Sequence, residues 1–270
     1  MEDQDTVQPE QPANEIEELS HTDKIVGVIS EPSNLFSKLA FLNTKATDWL
    51  LPLLLLIIVA IASTFIYMSN PEIKMEMQQQ QEKAMREQFD KMVESGQMSR
   101  EQADEQLEKS SEFVSNPMFM YLIPSISVFV IMLLWFFVFT TLAFLIAKFA
   151  FKGDGSYSQA MTAMGLPLYI SVFQSILLVI VGILMGKMLT GLNPASLMGM
   201  DLKTLPGFLL SRLDVFSIWF YIVVGIAFAK MFKYDNVKKY IFTSIGVWLV
   251  FMFIIFGLAQ VSPVFGNMIR

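Results

Sequence analysis

The sequence predicts an all-α integral membrane protein: a bundle of five transmembrane helices with an extracytoplasmic helical hairpin between the first and second. Three observations predict it. Hydrophobic residues make up 54% of the 270 and charged residues 16%, against roughly 45–50% and about 25% in soluble domains. Five apolar stretches are long enough to cross a bilayer, and none has an Asp, Glu, Lys, Arg or His in its interior. Charge is segregated as well. Residues 1–48 hold 3 Lys/Arg against 10 Asp/Glu, residues 71–113 hold 6 against 11, and the rest of the chain holds 10 against 4. The acidic pI of about 4.9 therefore belongs to two water-exposed segments around a mildly basic apolar body. No basic stripe with interleaved aromatics is present, so no nucleic-acid partner is expected.

Residues 1–23, rich in Glu, Gln, Asp and Pro, cannot bury enough apolar surface to offset ordering entropy and read as a disordered acidic tail. MEDQDTVQPE is acidic where a signal peptide needs a basic region, so no cleavable leader is expected. Residues 24–47 form a cytoplasmic interfacial segment. In SEPSNLFSKLAFLN, Pro32 suits a first helical turn with Ser30 or Glu31 as cap. Leu35, Phe36, Leu39 and Leu42 then recur at helical spacing. That helix lies either in the membrane interface or against the protein's own cytoplasmic face.

The first span, 48–68, offers about 30 Å of uncharged helix, enough to cross the hydrocarbon. Residues 69–116 form the extracytoplasmic hairpin. PEIKMEMQQQQEKAMREQFDKMVE is built of strong helix formers, Ser95-Gly96 breaks it, and Ser99 with Gln102 makes a capping box for REQADEQLEKSSEF. Met85, Phe89 and Met92 on one arm can face Ala103 and Leu107 on the other. The hairpin is either a solvated spacer or a partner-binding lever, with Met85, Phe89, Met92 and Leu107 as its candidate contact residues.

The second span, 117–148, is longer than needed, with Pro124 near its start. A short loop, 149–159, precedes the third, 160–187. The connection 188–213 is too apolar for a free loop and belongs in the outer interface or partway into the membrane, where its backbone must be covered. The fourth span is 214–231, a loop covers 232–239, the fifth span is 240–260, and 261–270 is an outer tail. Lys148 and Lys152 lie in one short loop, and Lys230, Lys233, Lys238 and Lys239 around another. The positive-inside rule then puts the N-terminus in the cytoplasm and the C-terminus outside.

Few motifs carry chemistry. The chain has no cysteine and one histidine, His21, placed in the expected tail. His-based catalysis, disulfides, thiolate metal sites and lipidation at cysteine are thereby excluded from the membrane body. No phosphate or dinucleotide loop occurs, and Gly153-Asp-Gly155 reads as a plain turn. No catalytic, cofactor-binding or metal-binding residue is nominated, and no cofactor is expected. An intramembrane enzyme would need a polar catalytic group that the spans lack.

Candidate packing or cavity residues are Gly165, Pro167, Gln174, Gly182 and Gly186. Pro167 removes a backbone hydrogen bond and kinks the third span, with Gly165 adding freedom. Gln174 is the amide deep in the apolar stretch and needs a partner, either as helix–helix glue or as the lining of a small polar cavity. Gly182 and Gly186 form GxxxG, which serves intramolecular packing or dimerisation; Gly225, Gly246 and Gly257 invite the same reading. Arg212 and Asp214 form a candidate interfacial charge pair before the fourth span, with Lys187 or a lipid headgroup as other partners for Asp214. Asp48 is a similar anchor before the first.

The segments EPSNLFSKLA before the first span, YSQAMTAMGLPLYISVFQSIL entering the third, LDVFSIWFYIVVGIAFA in the fourth and YDNVKKY before the fifth resemble the Yip (Ypt/Rab-interacting protein) domain family, particularly its bacterial branch. The resemblance covers residues 25–260 apart from the hairpin, which looks like an insertion. It implies five membrane helices with a cytoplasmic N-terminus, and it supplies no catalytic residues. Eukaryotic members are linked to Rab GTPases and vesicle budding. The DLYGP-type segment of those members is missing here, so Rab binding is not carried over.

The expected function is therefore a non-enzymatic scaffold or adaptor, in a bacterial cytoplasmic (inner) membrane, organising proteins or lipids. Its expected partners are membrane lipids, with a membrane or extracytoplasmic protein held through the 71–113 hairpin and a second copy of itself as further candidates. The alternative is a passive transporter, channel or lipid-moving protein that uses a cavity near Pro167 and Gln174. Coupled transport is disfavoured, because no intramembrane carboxylate and no simple inverted repeat is visible.

Overall fold

The computed structural model describes residues 19–116 and 118–261; most of the expected acidic tail and the outer tail after residue 261 lie outside the described residues. Within them every regular element is helical: α1 (His21–Ser30), α2 (Pro32–Leu39), α3 (Thr47–Ser69), α4 (Pro71–Glu94), α5 (Arg100–Ser115), α6 (Ile123–Leu145), α7 (Tyr157–Gly165), α8 (Leu168–Met185), α9 (Pro194–Leu197), α10 (Leu205–Ser211), α11 (Val215–Met231) and α12 (Val237–Val261). Single π-helical turns at Met118–Leu122 and Ile146–Ala150 extend α6 at both ends. The first abuts Pro124, whose missing N–H disturbs the ladder there.

Four helical runs are long and apolar enough to cross a membrane: Thr47–Ser69, Met120–Ala150, Tyr157–Met185 and Val237–Val261. The pair α10 and α11, bent by 57°, makes a fifth if it is one span. Their outer faces carry large bare apolar side chains, such as Ile58, Leu134, Val138, Ile180 and Val250, a lateral surface fit for lipid rather than water. The chain is a multi-pass, all-helical membrane protein.

The helices form an arc. α6 packs on α3, α3 on α7 and α8, α7 and α8 on α11, and α11 on α12. Glycines set the close approaches. A Cβ at Gly165 would sit 2.4 Å from Trp49 Cα, one at Gly225 2.5 Å from Ile241 Cα, and one at Gly182 2.5 Å from the Tyr67 hydroxyl. Gly165 thus serves helix contact rather than freedom. The GxxxG reading divides: Gly182 seats α8 on α3, whereas Gly186, at φ +65°, terminates α8 in the left-handed conformation. Gly246 and Gly257 meet nothing within 4 Å.

Order begins earlier than expected. Ser20 and Asp23 form a reciprocal capping box, so His21 opens α1 instead of lying in the tail. The serine and the carboxylate three residues on are a legible start signal. α2 follows Pro32 as expected, and it buries Leu35, Phe36 and Leu39 against α11. Of its two expected positions, it takes the protein's own face.

Gly153 and Gly155 are more than a turn. Together they enclose the fully buried Phe232, and Asp154 N donates to Phe232 O at 3.0 Å, clasping the 151–156 loop to the end of α11. A Cβ at Gly155 would lie 2.6 Å from the ring. Gly155→Ala is expected to destabilise by about 1–3 kcal/mol through overpacking. Gly246→Ala, facing open space, should be neutral. Thermal unfolding of the two variants in detergent decides it: equal midpoints would refute the clasp.

α4 and α5 pack against each other as two arms. Asn70 caps α4 by accepting from Glu72 N and Ile73 N. Gly96 turns the chain at φ +72°. Ser99 and Gln102 exchange their capping-box hydrogen bonds at 3.0 and 3.2 Å. Arg100 pairs with Asp90 across the turn. Met85, Phe89, Met92 and Leu107 are half-buried around the buried Ala103, so they form the seam between the two arms rather than a free contact face. At its base Ile73 packs with Tyr67 and Val179, anchoring α4 to the bundle.

Candidate functional site

Two polar clusters interrupt the apolar bundle, one at an end and one within it. At the end that carries α1 and α2, Lys24 Nζ donates to Asp48 Oδ1 at 2.6 Å, with side chains only 6% and 1% exposed. Lys45 N donates to Asp48 Oδ2 at 3.1 Å. One turn earlier, His21 Nε2 hydrogen-bonds the Tyr169 hydroxyl of α8. Burial lowers the His21 pKa below its ordinary value; the Asp48 carboxylate opposes that shift and the Lys24 ammonium adds to it. The ring is therefore neutral near neutral pH, able to donate or accept toward Tyr169. These contacts latch α1 onto the starts of α3 and α8. Asp48 is thus a buried partner of Lys24, not an interfacial anchor.

Within the bundle, at the level of Gln174 in the first half of α8, Asp214 caps α11: its Oδ1 accepts from Ser217 N at 3.0 Å. Its Oδ2 accepts from Gln174 Nε2 at 2.9 Å and Leu192 N at 3.1 Å. The carboxylate is buried at 3% exposure. So Gln174 finds its required partner in the very residue expected to pair with Arg212. Arg212 instead donates from Nε and Nη2 to the Ser211 hydroxyl and lies over the Phe208 ring, 5.1 Å from its centroid. Among the described residues no carboxylate forms an ion pair with it. Lys187 turns to the Leu197 carbonyl, 3.0 Å away.

The outer connection brings these groups together. Asn193 caps α9 and Thr204 caps α10. Phe208 of α10 is buried against Phe253 and Phe256 of α12, so the apolar connection packs onto the bundle.

Beneath it lies a cavity of about 540 Å³, within the roughly 300–1,000 Å³ typical of small-molecule sites. Gln174, Asn193, Arg212 and Asp214 line its polar end, and Leu53, Trp135, Phe139, Phe220, Val224 and Trp248 its apolar walls. Pro167 does not touch it. It breaks the helix between Gly165 and Leu168, where Tyr169 N and Ile170 N bond three residues back, and leaves Met164 and Leu168 on the wall. Gly165, Gly182 and Gly186 are not part of the lining.

Nothing in the sequence could pair residue 174 with 214, or 24 with 48. The cavity also owes much to residues that carry no motif, Trp135 and Trp248 above all. Among the described residues no three His, Asp or Glu side chains converge as a metal site.

A multi-pass helical body with two polar clusters and a cavity between its helices defines the class of protein. Its family follows from comparison: the Yip1 domain model matches residues 26–258, and the chain belongs to that family. Comparison with curated proteins gives no match, and neither does comparison with solved structures.

Proposed function

We infer that this is a non-enzymatic five-span Yip-type protein of a bacterial cytoplasmic membrane, acting as a scaffold or adaptor for membrane proteins or lipids. Its N-terminus is cytoplasmic and its hairpin and C-terminus are outside. The lysine-rich loops around 148–152 and 230–239 support that orientation, gathered at one end as Gly155 meets Phe232 and Lys239 covers Phe151. The α4–α5 hairpin is the observation that carries the adaptor role: two charged arms project from the bundle on a capped, buried root. Because its apolar residues are spent on its own seam, a partner would be held by its polar outer faces, and a second copy of the chain is one candidate. Photo-crosslinking probes therefore belong at the exposed Gln88 and Gln106. Deleting residues 72–112 should abolish partner capture and leave insertion intact; capture that survives the deletion would sink the hairpin's role.

The cavity favours a second reading, passive movement of a lipid or other small amphiphile. Gln174→Leu should slow the movement of fluorescent lipid across liposomes holding the purified protein. An unchanged rate would exclude this route.

A further inference from the structure

The arc of helices is not closed. α6 and α12 stand at its two ends, and no extensive backbone packing joins them. They meet through side chains: Trp135 lies against Phe251 with ring centroids 5.2 Å apart, and Phe139 against Phe251 at 5.1 Å. Behind this aromatic seam is the cavity, and both helices are bare on their outer faces. A ligand reaching the cavity from the bilayer has only rings to displace, a motion of side-chain rotamers rather than of helices.

At the polar end two opposite charges are in very different states. Asp214 is spent on Gln174, Leu192 N and Ser217 N. Arg212 has five N–H donors, and among the described residues its side-chain hydrogen bonds are two, both to the neighbouring hydroxyl of Ser211. A guanidinium with unspent donors, at the polar end of a cavity with apolar walls, matches a carboxylate or phosphate that carries a hydrocarbon tail.

We propose that the cavity is a binding site for one anionic amphiphile, taken laterally from the membrane between α6 and α12. Its head sits on Arg212, and its chain lies along Trp135, Phe220 and Trp248. The proposal rests on the cavity reading and adds the ligand's charge and its entrance. A fatty carboxylate and an acidic phospholipid share this chemistry.

The test uses the full-length protein in detergent, titrated with brominated palmitate or brominated phosphatidylglycerol. The readout is quenching of the cavity tryptophans, with brominated diacylglycerol as the neutral control. Saturable quenching by either anionic probe is expected, and the probe that quenches identifies the source. Arg212→Gln should weaken it about tenfold, the loss of one charge-assisted contact, while Arg212→Lys retains most of it. Ser171→Trp, which fills the cavity, should abolish saturation by every probe. Diacylglycerol binding as tightly as the anionic probes, or Arg212→Gln leaving binding unchanged, would overturn the charge assignment and leave the cavity reading standing. Saturation unaffected by Ser171→Trp, or no saturable quenching in the unaltered protein, would overturn both.

Discussion

Replacing Lys24 by Met should strip the latch from the first span and cost about 3–5 kcal/mol, the usual penalty for leaving one partner of a buried ion pair alone. Asp48 is fully buried, and without the ammonium at 2.6 Å it keeps, among the described residues, only Lys45 N as a hydrogen-bond donor. Lys24→Met together with Asp48→Leu removes both charges and should recover most of the loss, because apolar replacement of a buried pair is often neutral or better. The cost has a ceiling. α1 is ten residues, held mainly by this pair, the His21–Tyr169 contact and Val28, and undocking it is an alternative to bearing the unpaired charge. Hydrogen exchange should therefore show residues 21–30 losing protection in Lys24→Met while α3 and α8 keep theirs. Protection in α1 equal to that of the unaltered protein would show that the pair does not hold it.

The contrast between what could be read and what could not is physical. A span announces itself over some twenty consecutive apolar residues, and a capping box over four, as Ser99 and Gln102 did. The hairpin's seam was legible because Met85, Phe89 and Met92 repeat at helical spacing on one arm. The polar clusters join residues far apart in the chain: Lys24 with Asp48, Gln174 with Asp214, His21 with Tyr169. No local pattern encodes such pairs. Adjacency even misled, for Arg212 and Asp214 lie two residues apart, yet the helix break between α10 and α11 gives each its own neighbours. The glycines teach the same lesson. Gly182 and Gly186 share a motif, but one is a contact and the other a stop, and only the position of the helix end distinguishes them. Of the two residues expected near a cavity, Gln174 lines one and Pro167 does not. Its walls are ordinary span residues whose role appears only when five helices are set in an arc.

Asp214→Ala should be among the most damaging single changes inside the bundle, at roughly 3–5 kcal/mol. One carboxylate takes hydrogen bonds from three donors on three parts of the chain: Gln174 of α8, Leu192 of the outer connection, and Ser217 in the first turn of α11. Hydrogen bonds to a charged group contribute about 1.5–3 kcal/mol each, and those sharing one acceptor do not add fully. The N-cap alone contributes about 1 kcal/mol. Asp214→Asn keeps a carbonyl oxygen for the cap and should lose about half as much. Gln174→Leu removes a single donor and leaves the carboxylate two others, so about 1–2 kcal/mol is expected. Equilibrium unfolding in micelles would rank the three. A double-mutant cycle between positions 174 and 214 should return a clear coupling; near-zero coupling would mean that the 2.9 Å contact contributes nothing in the membrane-embedded protein. The ranking also bears on the cavity. With Asp214 held by its three donors, the Arg212 guanidinium keeps N–H groups to spare. Loosening Asp214 by removing Gln174 frees a carboxylate oxygen to compete for Arg212, so Gln174→Leu should weaken anionic ligands even though Gln174 need not touch them.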